Sequence, residues 1–178
     1  MARLIALLRA VNVGGRKLPM AELRPLCAEL GWEEVETYIQ SGNVVFSASG
    51  RSDALEAMLE EAIKKRFGFH SDVMIRSPDS WAAILAANPF AQASEAEPNR
   101  VLVGVPKARL ESGAAEALSA RAVAGERVEQ AGGVLWFHYP AGVGTSKITP
   151  SLIDRAAGSP VTARNWRTML KLREMAQA

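Results

Sequence analysis

The 178-residue chain has one cysteine and two histidines, and no apolar run approaches the roughly 20 residues that a membrane helix needs. With Cys27 alone no intrachain disulfide can form, which is the usage of a cytoplasmic protein. Cys27 falls in an apolar-periodic stretch, Leu23 to Leu30, where a small buried thiol is expected rather than a reactive one. His70 and His138 stand far apart beside aromatic residues, reading as a strand-edge and a pleat residue. One cysteine and two scattered histidines do not supply a zinc ligand set at fixed spacing, so no metal and no cofactor is expected. Neither do they spell a Ser-His-Asp or Cys-His relay. The acidic pairs Glu33-Glu34, Glu60-Glu61 and Glu126 with Glu129 read as surface charge, with no spacing that marks an acid and a base. Leu4 to Leu8 is too short for a signal-peptide core and is closed by Arg9, so no targeting segment is expected and localisation reads as cytoplasmic. Nor is there an excess of one charge: 21 Lys+Arg face 19 Asp+Glu.

What is present is an ordinary globular composition, 48% hydrophobic and 22% charged. Residues 3–11 form an apolar run suited to a strand buried on both faces. Pro19 opens a helix to Leu30 and Gly31 ends it. Residues 35–39 and 44–47 flank Gln40-Ser41-Gly42-Asn43 as a hairpin. Ser52 is placed to cap an amphipathic helix that Gly68 stops, and 73–76 reads as a strand. Residues 3–76 thus follow β-α-β-β-α-β, the ferredoxin-like order. Residues 77–87 read as an extra helix and 88–99 as a linker. After it the order repeats: strand 100–105, helix 106–121, hairpin strands 127–130 and 134–139, helix 149–157, strand 159–163, and a last helix 165–177. The predicted fold is α+β, two ferredoxin-like units (1–87 with the extra helix, 100–178 with the C-terminal helix). No convincing residue-level repeat accompanies the architectural one.

Three stretches offer chemistry. Gly14-Gly15-Arg16-Lys17 lies between a strand and a helix, a context in which backbone N–H groups hold anions, although it matches no nucleotide-binding fingerprint. Gly142 to Lys147 has phosphate-loop ingredients in the wrong order. Thr162-Ala163-Arg164-Asn165-Trp166-Arg167-Thr168 combines charge, amides and a stacking face at a strand–helix junction. Residues 147–178 carry six basic and two acidic side chains, net +4, whereas the other 146 residues are net −2. Such a basic end attracts phosphate-bearing partners, and Trp166 is placed to stack on a base. A tight turn and an inward-packed tryptophan explain the same residues in purely structural terms.

Several segments resemble one bacterial family. Leu7-Leu8-Arg9-Ala10-Val11-Asn12-Val13-Gly14-Gly15 is similar to its L-R-G-I-N-V-G-G, with Ala10 in place of glycine. Thr37 to Phe46 matches its T-Y-I-Q-S-G-N-V-V-F, and Thr162 to Thr168 its T-x-R-N-W-x-T; Met20-Ala21-Glu22-Leu23, Leu30-Gly31-Trp32 and Ser146-Lys147 also correspond. This is the domain-of-unknown-function family numbered 1697. The resemblance implies a duplicated α+β cytosolic protein without an established activity. It also implies a set of positions: Arg9, Asn12, Lys17, Tyr38, Ser41, Asn43, Ser146, Lys147, Arg164, Asn165 and Trp166. The set contains no acid, cysteine or histidine, and suits gripping an anion.

The leading expectation is therefore binding of a phosphorylated or anionic ligand through Arg9, Asn12 and Lys17 and through Lys147, Arg164 and Asn165. A phosphorylated small molecule is the first partner expected; nucleic acid at the basic C-terminal region is the second. A transferase acting on a phosphorylated substrate, with Tyr38, Lys17 or Lys147 as acid or base, is the enzymatic alternative. In a third reading Asn43 and Asn165 merely tie turns. No membrane partner is expected, and oligomeric state is left open.

Overall fold

A computed structural model describes residues 2–178, the side chain of Ala2 excepted. The chain divides into two compact units, residues 2–81 with Leu172–Ala178, and Ala82–Lys171.

The first unit orders its elements as β1 (Ala2–Leu8), α1 (Met20–Glu29), β2 (Glu33–Thr37), β3 (Asn43–Ala48), α2 (Ser52–Phe67) and β4 (Val73–Arg76), and α3 (Pro78–Ala86) begins in it. Its four-stranded sheet runs β2-β3-β1-β4. Neighbouring strands are antiparallel, Ile5 standing opposite both Val45 and Arg76. That is the ferredoxin-like order. One sheet face, with Leu4, Ala6, Leu8, Val44, Phe46, Val73 and Ile75, packs under α1 and α2, which contribute Leu23, Leu26, Leu55, Leu59 and Ile63. Trp32 stacks on Phe46 at 3.9 Å between ring centroids. Ile5, Leu7, Val45 and Met74 on the other face are buried too, so β1 reads as a continuous apolar run rather than an alternating one. Gly31 and Gly68 follow their helices in left-handed conformation, as the C-terminal signals require. Ser52 does not cap α2: it is the first helical residue, and Asp53 in that turn accepts the N–H of Ala54.

The second unit contains α4 (Ala91–Ala96), β5 (Val101–Pro106), α5 (Ala114–Ser119), β6 (Arg127–Ala131), β7 (Val134–His138), α6 (Pro150–Ala157) and β8 (Val161–Asn165), and α7 (Trp166–Gln177) starts there. Its sheet repeats the order as β6-β7-β5-β8. The segment 88–99, polar enough to read as a linker, holds a helix instead. Asn88 accepts the N–H of Phe90 and donates to Ser94, so the turn-forming residues tie the turn to a packed element in which Phe90 and Ser94 are buried. The helix expected from residue 106 is also shorter. Pro106 ends β5, and α5 waits until Gly113 supplies the left-handed residue before Ala114. The last seven residues group with the first unit, where the carbonyl of Met175 accepts Arg3 Nε.

Superposing the strand registers uncovers a repeat too sparse to notice in the linear sequence. Ile5–Arg76 and Leu8–Val73 in one sheet correspond to Val103–Arg164 and Pro106–Val161 in the other. Ser71-x-Val73-x-x-Arg76 therefore matches Ser159-x-Val161-x-x-Arg164. Both serines clamp the end of the neighbouring strand: Ser71 Oγ donates to the carbonyl of Arg9 at 2.7 Å, and Ser159 Oγ accepts the N–H of Ala108 at 2.8 Å. The units also guard the same sheet edge alike. In β4 the outward N–H groups of Val73 and Ile75 donate to Glu60 and Glu56 of α2. In β8 the N–H of Val161 donates to Asp154 of α6. A side-chain carboxylate thereby occupies donors that would otherwise pair with a foreign strand.

Candidate functional site

Six of the expected site residues lie in the first unit, where β1 runs out and the β2–β3 hairpin turns beside it. Leu8 N–H donates to the carbonyl of Gly42. A side chain at Gly42 would sit 2.7 Å from Val11 Cγ2 and 2.8 Å from Leu8 Cβ, and its φ is +88°, so only glycine lets the hairpin close against β1. Asn12 laces the two loops together. Its Oδ1 accepts Leu18 N–H at 2.9 Å while its Nδ2 donates to the carbonyls of Leu18 at 3.0 Å and Gln40 at 2.6 Å. Asn43, fully buried, donates to the Tyr38 carbonyl and to Ser41 Oγ, and its own carbonyl accepts Tyr38 N–H. Asn12, Ser41 and Asn43 thus build the turns. Arg9 and Tyr38 are half-buried, and Lys17 is exposed.

This lacing holds open a cleft of about 400 Å³ lined by residues 12–17, Pro19 and Gln40. It lies between the end of a strand and the first turn of α1. Gly14 and Gly15 are both left-handed. The lining includes two cations, Arg16 and Lys17, and no carboxylate. The sequence-based site omits Arg16 and Gln40, although the loop Gly14-Gly15-Arg16-Lys17 and the turn Gln40-Ser41-Gly42-Asn43 carry them. Arg16 is steadied from behind by the carbonyl of His70 and the ring of Phe69. Ile39 beside Gln40 is 49% exposed with φ +52°, a conformation that costs a β-branched residue on the order of 1–2 kcal/mol.

The other five residues lie in the second unit and are largely engaged there. Ser146 donates to Glu126 at 2.8 Å and accepts Ile148 N–H. Hydrogen bonds from Ser146 and from nearby backbone hold the Glu126 carboxyl below its usual range. Burial, together with that carboxylate, pushes the Tyr139 hydroxyl well above its own. Asn165 Oδ1 accepts Thr168 N–H and so caps α7. Trp166 packs against Trp136, ring centroids 5.8 Å apart. Arg164 is only 7% exposed and donates to Thr162 Oγ1 and the Ala163 carbonyl. Burial draws its guanidinium down to about 10, still charged at neutral pH. Lys147 alone of the five is exposed.

The nucleophile inventory stays short. Cys27 is buried, and desolvation pushes its thiol to about 12, far from a reactive thiolate. His138 sits between Arg127, Phe90 and Glu97. His70 is not alone: Glu60 and Asp72 stand beside it. No helix among the described residues is long and apolar enough to cross a membrane.

Comparison with known proteins agrees with this architecture. The conserved bacterial protein SP0830 from Streptococcus pneumoniae superposes with a TM-score of 0.75 at 24% identity, over 98% of each chain. That likeness is one of fold. None of the curated proteins compared with the chain matches it. The profile of the family described as "Protein of unknown function (DUF1697)" matches residues 1–136, three quarters of the sequence and the whole of the glycine-hairpin site, and the chain belongs to that family.

Proposed function

We propose that the protein binds a phosphorylated or otherwise anionic small molecule in the cleft of the β1–α1 loop. The observation that carries this reading is the lining itself: Arg16 and Lys17 beside paired left-handed glycines, at the start of a helix, with no carboxylate facing them. Glycine backbone next to a helix N-terminus suits anions, because backbone N–H groups and the helix dipole add to the side-chain charge. Asn12 and Asn43 serve the site by fixing its walls. Arg164 and Trp166 make their hydrogen bonds and ring contact within their own unit, so the nucleic-acid reading rests on the basic charge of residues 147–178 and stands second. Among the described cleft residues only Lys17 offers a candidate proton carrier, so the transferase reading stands behind simple binding.

The test is calorimetric titration with inorganic phosphate, pyrophosphate and a nucleoside triphosphate. Saturable binding is expected for at least one of them. Lys17→Ala or Arg16→Ala should weaken it by roughly tenfold or more, the value of one charge-assisted hydrogen bond of about 1.5–3 kcal/mol. Lys17 is exposed and unpaired among the described residues, so its variant should melt with the parent. Absence of binding to all three anions, or binding indifferent to both substitutions, overturns the proposal.

A further inference from the structure

A second site lies at the entry to β4. His70 Nε2 stands 3.0 Å from Asp72 Oδ1 and 3.9 Å from Glu60 Oε2, and the donor atoms of the three residues all fall within 4.8 Å of one another. We propose that Glu60, His70 and Asp72 bind a divalent first-row transition-metal ion. Nitrogen and oxygen ligands hold zinc at about 2.0–2.2 Å, which puts tetrahedral ligands roughly 3.3–3.6 Å from one another. The two His70 separations lie on either side of that edge length, and the Glu60 and Asp72 oxygens fall within 4.8 Å of each other, so a shift of the exposed imidazole together with one carboxylate closes the set.

The three donors come from positions the fold already restrains. His70 and Asp72 are two apart in the segment that leads into β4, and Ser71 between them donates to the Arg9 carbonyl. Asp72 is anchored through its own carbonyl, which accepts Arg9 N–H at 2.9 Å. Glu60 reaches over from α2 and is oriented by the N–H of Val73, bonded to the carboxylate oxygen that faces His70. Such hydrogen bonds behind the ligands aim them and cut the cost of assembling the site. The guanidinium of Arg16 donates to the His70 carbonyl at 3.5 Å. An imidazole with two carboxylates selects zinc and its neighbours over magnesium or calcium, which prefer oxygen alone. The His70 side chain is 57% exposed, which leaves the remaining coordination positions to water.

The experiment is titration of the full chain with Zn²⁺ against a chromophoric chelator, paired with proton NMR of the two histidine rings. One-to-one binding is expected, with the His70 ring resonances shifted and those of His138 unmoved. His70→Gln and Asp72→Asn should each weaken Zn²⁺ by more than about tenfold, while Mg²⁺ moves neither ring. Melting curves of the two variants establish that they are folded. If Zn²⁺ fails to saturate, if both variants bind like the parent, or if Mg²⁺ binds as well as Zn²⁺, the three residues are an ordinary ion cluster and the proposal fails. None of these three residues lines the β1–α1 cleft, so Zn²⁺ binding and anion binding are read by separate titrations and either can fail without the other.

Discussion

At the scale of single residues, the molecule keeps several side chains in conformations that glycine would hold at lower cost. Ala10 has φ +56°, at the position where the family motif carries glycine. A left-handed alanine costs about 1–2 kcal/mol, partly offset by the chain entropy that a glycine loses on folding. Ala10→Gly should therefore stabilise the protein by about 0.5–1 kcal/mol, read as a melting temperature higher by about 1–4 °C. An unchanged or lower midpoint would mean that the methyl group packs well enough to repay the strain. Asn12 shares the left-handed conformation at φ +58° but can afford it, since asparagine tolerates that region and uses its amide to join two loops. The same reasoning explains why the S-G-N turn is so specific: Ser41 receives Asn43, Gly42 admits Leu8, and Asn43 closes on Tyr38.

At the scale of elements, the edge strands show how the fold limits its own association. β4 has β1 on one side only, and its outward amides are taken by α2 through Glu56 and Glu60. Glu56 is only 8% exposed and also faces Arg76 at 3.8 Å. Glu56→Ala should cost about 1–3 kcal/mol in chemical denaturation, because a buried N–H loses its acceptor. Glu56→Gln, which keeps a carbonyl oxygen at that distance, should recover most of the loss. Equal destabilisation by both substitutions would instead assign the effect to the ion pair with Arg76. The alanine variant should also self-associate more readily at high concentration, visible by light scattering, as an uncovered edge invites strand pairing. The equivalent contact of Asp154 with Val161 N–H shows that this device belongs to the repeated unit and not to one strand.

At the scale of the whole molecule, a single buried thiol gives the stability curve an alkaline limb. Cys27 titrates near 9 when solvated and at about 12 in the fold. Its contribution is complete below pH 9 and declines as pH rises toward 12, because only the unfolded chain then gains from ionising the thiol. Each unit of pH in that window should remove up to about 1.4 kcal/mol that a Cys27→Ala variant does not lose. Denaturation midpoints from pH 8 to 11 for the two proteins should accordingly converge, and parallel curves would contradict it. Much of the organisation was already written in the chain. The β-α-β-β-α-β order, the glycine stops at Gly31, Gly68 and Gly158, and the hairpin at Gly42 all depend on local periodicity and backbone preference, which neighbouring residues dictate. The helix at Ala91–Ala96 and the late start of α5 escaped because caps and turns are composed of the same polar residues as loops. The Ser-x-Val-x-x-Arg repeat needed strand register to become visible, since three letters in six are lost in background. Sequence alone determined the family, the fold class and the absence of an exposed reactive thiol. Only the tertiary structure decided that Arg164 is buried beside Thr162, that Arg16 joins Lys17 in an acid-free cleft, and that Glu60 meets His70 and Asp72. These are facts of convergence between segments distant along the chain, and no local pattern encodes a distance.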